Sequence, residues 1–191
     1  MVSKRAGFSE KDLCTEIIRS FEAIGAFAFK VPDAPGYWRG DAEAPTRFTP
    51  TRAFDIIAIV QGRGYAIEAK IKRNGGAVKP EEIRDEQREC LSRVHAAGGG
   101  AYLAVGYRFK CGPAQRKTFG SVFARELYLV RWDRWQALEA AHPEGVQRAA
   151  LVAERGSAVQ WIGGGLWNLD PSKSDEQTGA ESAKGGVQDG E

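Results

Sequence analysis

Cysteine, histidine and long apolar runs are all scarce in this chain, and each shortage removes a class of function. The three cysteines, Cys14, Cys90 and Cys111, are scattered, odd in number and form no CxxC pair. Neither a disulfide framework nor a zinc ribbon can be built from them. The two histidines, His95 and His142, lie far apart and belong to no metal-spaced motif. No Ser/His/Asp arrangement is recognisable, and none of the glycine clusters is followed by the Lys-Ser/Thr of a phosphate loop or placed as in a dinucleotide fingerprint. No stretch approaches the length of a membrane span, and the first residues lack the apolar centre of a signal peptide, so the expected location is the cytoplasm.

What remains is the composition of an ordinary globular domain: 191 residues, 42% hydrophobic and 27% charged. The net charge of +2 conceals an asymmetry. Residues 171–191 contain five acids (Asp175, Glu176, Glu181, Asp189, Glu191) against Lys173 and Lys184, with almost no large apolar side chain. That segment reads as a disordered acidic tail behind a single domain over residues 1–170. The domain itself is mildly basic, which permits a polyanionic partner.

Periodicity gives the order of elements. Ser9 is a good N-cap for a helix to about Ile24, with Leu13, Cys14, Ile17, Phe21 and Ile24 as its apolar stripe and Gly25 at its end. A strand over 26–31 follows, then a long loop over 32–52. Residues 54–71 read as a hairpin of two largely buried strands about a Gln61-Gly62-Arg63-Gly64 turn. A charged helix is expected over 79–97, strands over 101–105 and 126–131, a helix over 132–140 and a last hairpin over 159–169 turning at Gly163-Gly164-Gly165. This order predicts an α/β (α+β) fold, a central mixed β-sheet flanked by helices.

The most informative residues lie inside the hairpin. Asp55 is on its first strand, and Glu68 and Lys70 share one face of the second, opposite Ile67, Ala69 and Ile71. Carboxylates in apolar runs are costly unless paired or bound to a metal. Two of them beside a lysine make a hard-cation site with an attached positive charge. Oxygen ligands without histidine or thiolate suit Mg2+, with Mn2+ substituting, and disfavour zinc. The bland alternative is an ordinary hairpin carrying an exposed Glu–Lys pair.

Asp55 followed by Glu68-Ala69-Lys70 resembles the signature of the PD-(D/E)xK nuclease superfamily, with Phe54 in place of the proline that often precedes the Asp. Further stretches are similar to RecU/Hjc-like Holliday junction resolvases. They are the Glu68-Ala69-Lys70 triplet, the proline-containing exit Lys30-Val31-Pro32-Asp33-Ala34-Pro35, and Gln87 and Leu91 followed by Gly98-Gly99-Gly100-Ala101-Tyr102-Leu103. The similarity runs from about Ser9 to Trp132 and is diffuse outside the hairpin. The Ser/Thr-rich run expected before the Asp is replaced by Thr51-Arg52-Ala53-Phe54, which leaves the branch of the superfamily open.

The resemblance implies a restriction-endonuclease-like core and a Mg2+-dependent endodeoxyribonuclease of bacterial or phage origin. Its expected substrate is branched DNA, above all the four-way junction, cut by paired nicks from a homodimer. Another nuclease of the superfamily (VRR-type, restriction or repair), or a catalytically silent nucleic-acid-binding relative, is the alternative. It implies metal ligation by Asp55, Glu68 and the backbone carbonyl of Ala69, with Lys70 orienting the attacking water. A carboxylate from the first helix completes the site in many members. The helical wheel puts Glu10 on the sheet-facing stripe and Glu16 towards solvent, so Glu10 is preferred and Glu16 is the alternative. Gln87 can point its amide at the site. DNA contacts are expected from Arg39, Arg47 and Arg52 in the long loop, with Tyr37 and Trp38 for stacking, and from Lys72 and Arg73 past the catalytic strand.

Overall fold

The computed structural model describes residues 8–32, 37–39, 46–48, 53–110, 123–154, 158–159, 161–163 and 165–169. Helix α1 (Glu10–Ala23) starts where Ser9 and Asp12 close a reciprocal capping box, and it is followed by Gly25 at φ +77°. Strand β1 (Phe27–Lys30) pairs antiparallel with β4 (Ile56–Val60), and β4 pairs antiparallel with β5 (Arg63–Arg73). The β4–β5 connection is tighter than the sequence implies. It is a two-residue turn, with Gln61 and Gly62 both at positive φ and Val60 opposite Arg63.

A crossover unit follows: β5, a 3-10 turn (Pro80–Glu82), α2 (Asp85–Ala96) and β6 (Gly100–Lys110), with β5 and β6 parallel. β7 (Phe123–Arg131) runs antiparallel to β6, and β8 (Ala158–Val159) closes the sheet in the order β1-β4-β5-β6-β7-β8. Helices α3 (Trp132–Ala141) and α4 (Arg148–Ala153), the short pair β2 (Tyr37–Arg39) with β3 (Thr46–Phe48), and a hairpin of β9 (Trp161–Gly163) with β10 (Leu166–Trp167) complete the described elements. The fold is therefore α+β, a mixed sheet with helices on both faces.

Alternation along the central strands separates two cores. Ile67, Ala69, Tyr102, Ala104, Leu127 and Leu129 face α1, where Leu13, Ile17 and Phe21 cover them. Ala66, Leu103, Val105, Tyr107, Tyr128 and Val130 face the other way, against Leu91 of α2, Trp132 and Trp135 of α3 and Leu151 of α4. Arg88 binds that second layer together. Its guanidinium donates to both Glu139 carboxylate oxygens at 2.5 and 2.7 Å and to the carbonyls of Pro80 and Ile83. Since Glu68 and Lys70 alternate with Ile67 and Ala69, they belong to the α2 side of the sheet.

Three expectations are corrected. The helix expected over 79–97 is broken, because Ile83 is extended (φ −108°, ψ 110°) and turns its side chain into the core, ending the 3-10 turn before α2 begins. β6 continues past 105 to Lys110, because the ladders to β5 and β7 hold polar residues that the hydrophobic pattern alone would release. The loop expected over 32–52 contains the β2–β3 pair. Residues 171–191 lie outside the described residues.

The glycines after α2 are there for space as well as for turning. Gly100 stands opposite Tyr65, and a Cβ on it would lie 2.2 Å from Cδ1 of that ring. Both residues are buried, so the ring has nowhere to move. Gly100→Ala is expected to destabilise the domain by about 1–3 kcal/mol, as other overpacked cores are. Thermal melting should show a midpoint several degrees lower, whereas an unchanged midpoint would mean that β5 and β6 are not in this register.

Candidate functional site

Asp55 sits one residue before β4, stitched between its neighbours. Its N–H donates to the Ile67 carbonyl at 3.1 Å, and its own carbonyl accepts from Val31 N–H at 2.8 Å. The side chain turns across to β5, where Oδ2 accepts the Ala69 N–H at 2.8 Å. Backbone pairing and a side-chain hydrogen bond therefore fix Asp55 beside the Glu68-Ala69-Lys70 triplet. Phe54 packs against the α2-side core.

Glu68 is 1% exposed. Its Oε1 accepts from Lys70 Nζ at 2.7 Å and from Gln87 Nε2 at 2.6 Å. A carboxylate in that position would be costly without charged or polar donors, and here they come from its own strand and from α2. The single oxygen of the Gln87 amide is equally committed. Oε1 accepts the N–H of Arg84 at 3.0 Å, satisfying a backbone donor at the start of α2. That double engagement orients the amide and aims its NH2 at Glu68. The four side chains Asp55, Glu68, Lys70 and Gln87 thus converge, with Asp55, Glu68 and Gln87 buried and Lys70 keeping a small solvent-facing surface (11%). An exposed Glu–Lys pair does not describe this arrangement.

The first-helix carboxylates are placed differently from the wheel. α1 covers the opposite face of the sheet, against Ile67 and Ala69. Glu10, its first residue, is exposed. Glu16, expected towards solvent, is half-buried: one oxygen is ion-paired with Arg125 of β7 and the other accepts Trp167 Nε1 at 3.2 Å. Burial pushes its carboxyl up, against the opposing pull of Arg125 and Trp167. The wheel treats a helix as lying on one surface, whereas β7 and the C-terminal hairpin also wrap this one. Among the described residues no group of three His, Cys, Asp or Glu side chains gathers as a metal site, so neither glutamate stands with Asp55 and Glu68.

Further along the same face of β5, Lys72 is ion-paired with Glu82 of the 3-10 turn. Burial raises the Glu82 carboxyl, but Lys72, the Lys79 N–H and the charge of Lys70 outweigh it and hold the group below its ordinary range. Sequence reading passed over Glu82. The signal available was an acid in the first turn after Lys79-Pro80, at the end of the strand bearing Lys70. Lys72 is thus engaged within the protein, while Arg73 is exposed. Tyr37, Trp38, Arg39 and Arg47 fall on β2 and β3, of which the backbone alone is described, and Arg52 lies outside the described residues.

The donor set can be tested for a cation. Asp55 and Glu68 offer carboxylate oxygens only, and Mg2+ is commonly held by one or two carboxylates with water in its remaining positions. The Ala69 N–H leaves β5 on the Asp55 side, and in a strand a residue's C=O leaves on the same side as its N–H. Its carbonyl is a third oxygen facing that gap. These residues fit a hard divalent ion.

No protein-family model matches the chain, and no curated protein is significantly similar to it. Among solved structures it is similar to Hjc of Archaeoglobus fulgidus, a Holliday junction resolvase from an archaeal hyperthermophile. The two share 20% identity over 76% of this chain and 97% of that one, with a TM-score of 0.35. A likeness of that size carries no weight for what this chain does.

Gln87 offers a direct check on the site's construction. Gln87→Leu removes a hydrogen bond to a buried carboxylate and the acceptor for Arg84 N–H. The expected loss is about 1.5–3 kcal/mol, the range for hydrogen bonds to charged groups. Urea denaturation would measure it, and a stability equal to wild type would show that the amide does not hold Glu68.

Proposed function

We propose that the chain is a divalent-metal-dependent DNA endonuclease whose centre is Asp55, Glu68 and Lys70. The observation that carries this reading is the burial of Glu68 between Lys70 and Gln87, with Asp55 tied to the intervening Ala69. A fold gains little stability from such a set, because a buried ion pair seldom outperforms well-packed apolar side chains. Burial of this kind is characteristic of sites with chemistry to perform.

Asp55, Glu68 and the Ala69 carbonyl would hold the ion. When bound, it would polarise the phosphodiester and acidify a water. The protein's own groups do the rest. Lys70, the member that reaches solvent, is placed to hold the attacking water and to offset the charge that builds on the phosphorane oxygens. Gln87 keeps Glu68 in one rotamer so that its oxygens meet the ion without reorganisation. The Asp55–Ala69 hydrogen bond fixes the spacing of the two carboxylates.

The substrate follows from the sequence resemblance to RecU/Hjc-like resolvases. It is a four-way DNA junction, nicked symmetrically by a twofold homodimer whose two centres face opposite strands. Both Glu10 and Glu16 stand away from the centre in this structure, so the proposed chemistry uses two carboxylates.

The test is nicking of a labelled four-way junction with Mg2+, Mn2+ or chelator. Asp55→Asn and Glu68→Gln should each lower the rate by at least about a hundredfold, as loss of transition-state electrostatics does. Circular dichroism would confirm that the variants fold. Unchanged nicking in either variant rules the centre out. Tight junction binding by wild type with no cleavage in any metal would leave a silent DNA-binding relative.

A further inference from the structure

On the α1 side of the sheet, Ile71, Gly106 and Leu127 stand side by side across β5, β6 and β7. Leu13 of α1 covers this row, so closely that a Cβ on Gly106 would come within 2.9 Å of it. The next row on the same face, two residues further along each strand, is Arg73, Arg108 and Arg125. Neighbouring strands lie about 4.8 Å apart, so three guanidinium-bearing residues start within about 10 Å of one another. Lys110, exposed and two residues beyond Arg108, extends the row on that face.

Like charges directly opposite in a sheet are destabilising. Here they occur twice in succession, at Arg73 with Arg108 and at Arg108 with Arg125. Among the described residues, two acids of the first helix lie against the Arg125 end of the row. Glu16 pairs with Arg125, whose guanidinium also lies 4.2 Å over the Phe8 ring, and Asp12 feels the same arginine while accepting hydrogen bonds from Ser9. Arg73, Arg108 and Lys110 bring three cationic side chains to the other end.

We propose that this row is a strip for the DNA phosphate backbone, separate from the proposed centre at Asp55, Glu68 and Lys70. The choice of DNA as the polyanion rests on the nuclease reading above. Arg73 follows Lys70 by three residues on β5, about 10 Å along the strand, and points to the other face. DNA passing the end of β5 would therefore meet Lys70 on one side and the arginine row on the other. Arginine suits the task, because its planar fork engages phosphate oxygens in pairs.

Binding of duplex DNA, followed by fluorescence anisotropy in chelator over a range of salt, tests the strip. Each phosphate contact contributes about 0.9 to the slope of log K against log salt. Arg73→Gln should flatten the slope by about 1 and the pair Arg73→Gln/Arg108→Gln by about 2, with circular dichroism to confirm that both variants fold. Arg125 is left intact, since it anchors α1. Wild-type slopes in both variants, or a wild-type chain that binds no duplex, would overturn the strip. A parallel nicking assay in Mg2+ separates the two ideas. Nicking with unaltered slopes removes the strip and leaves the nuclease, whereas flattened slopes without nicking in any metal remove the nuclease and leave the strip.

Discussion

The Glu68 carboxylate is the constraint around which the centre of this protein is arranged. An ionised acid inside a sheet costs several kcal/mol unless donors surround it. This one draws donors from two elements, Lys70 on its own strand and Gln87 on α2. Meeting that need fixes much else. Gln87 must sit at the third position of α2, so α2 must start at Asp85, and the chain must turn through Ile83 and Arg84 beforehand. The break in what would otherwise be one helix is a consequence of serving the site and burying Ile83 together.

The same face of β5 carries charges from its middle to its end, each with an opposite partner: Glu68 with Lys70, then Lys72 with Glu82 of the 3-10 turn. An acid–base series of this kind keeps several ionic groups in a partly dry region, because each has an opposite neighbour. The other face of the strand, one residue out of phase, is uncharged from Tyr65 to Ile71, between Arg63 and Arg73. One strand thereby presents a chemical face to α2 and a packing face to α1. Insertion or deletion of one residue in β5 would exchange them.

The hairpin and its triplet were legible because strand alternation is local: Glu68 and Lys70 share a face whatever else the chain does. The Ser9 cap and the Gly25 stop were legible for the same reason. The convergence of Gln87 on Glu68 could be read only as a possibility, since it depends on where α2 docks. The placement of Glu16 could not be read at all. Its partners, Arg125 and Trp167, lie more than a hundred residues away in the chain and reach it through the sheet and the last hairpin. The arginine row was hidden for a like reason, because Arg73, Arg108 and Arg125 become neighbours only through the registers of β5, β6 and β7.

The central claim is that Asp55 and Glu68 form a seat for a hard divalent ion. Calorimetric titration of Mn2+ into the metal-free chain, without any nucleic acid, addresses it most directly. The account predicts a saturable binding heat for wild type that disappears in Glu68→Gln, which keeps the shape of the side chain and removes its charge. No saturable heat in wild type, or the same isotherm in the variant, would contradict it.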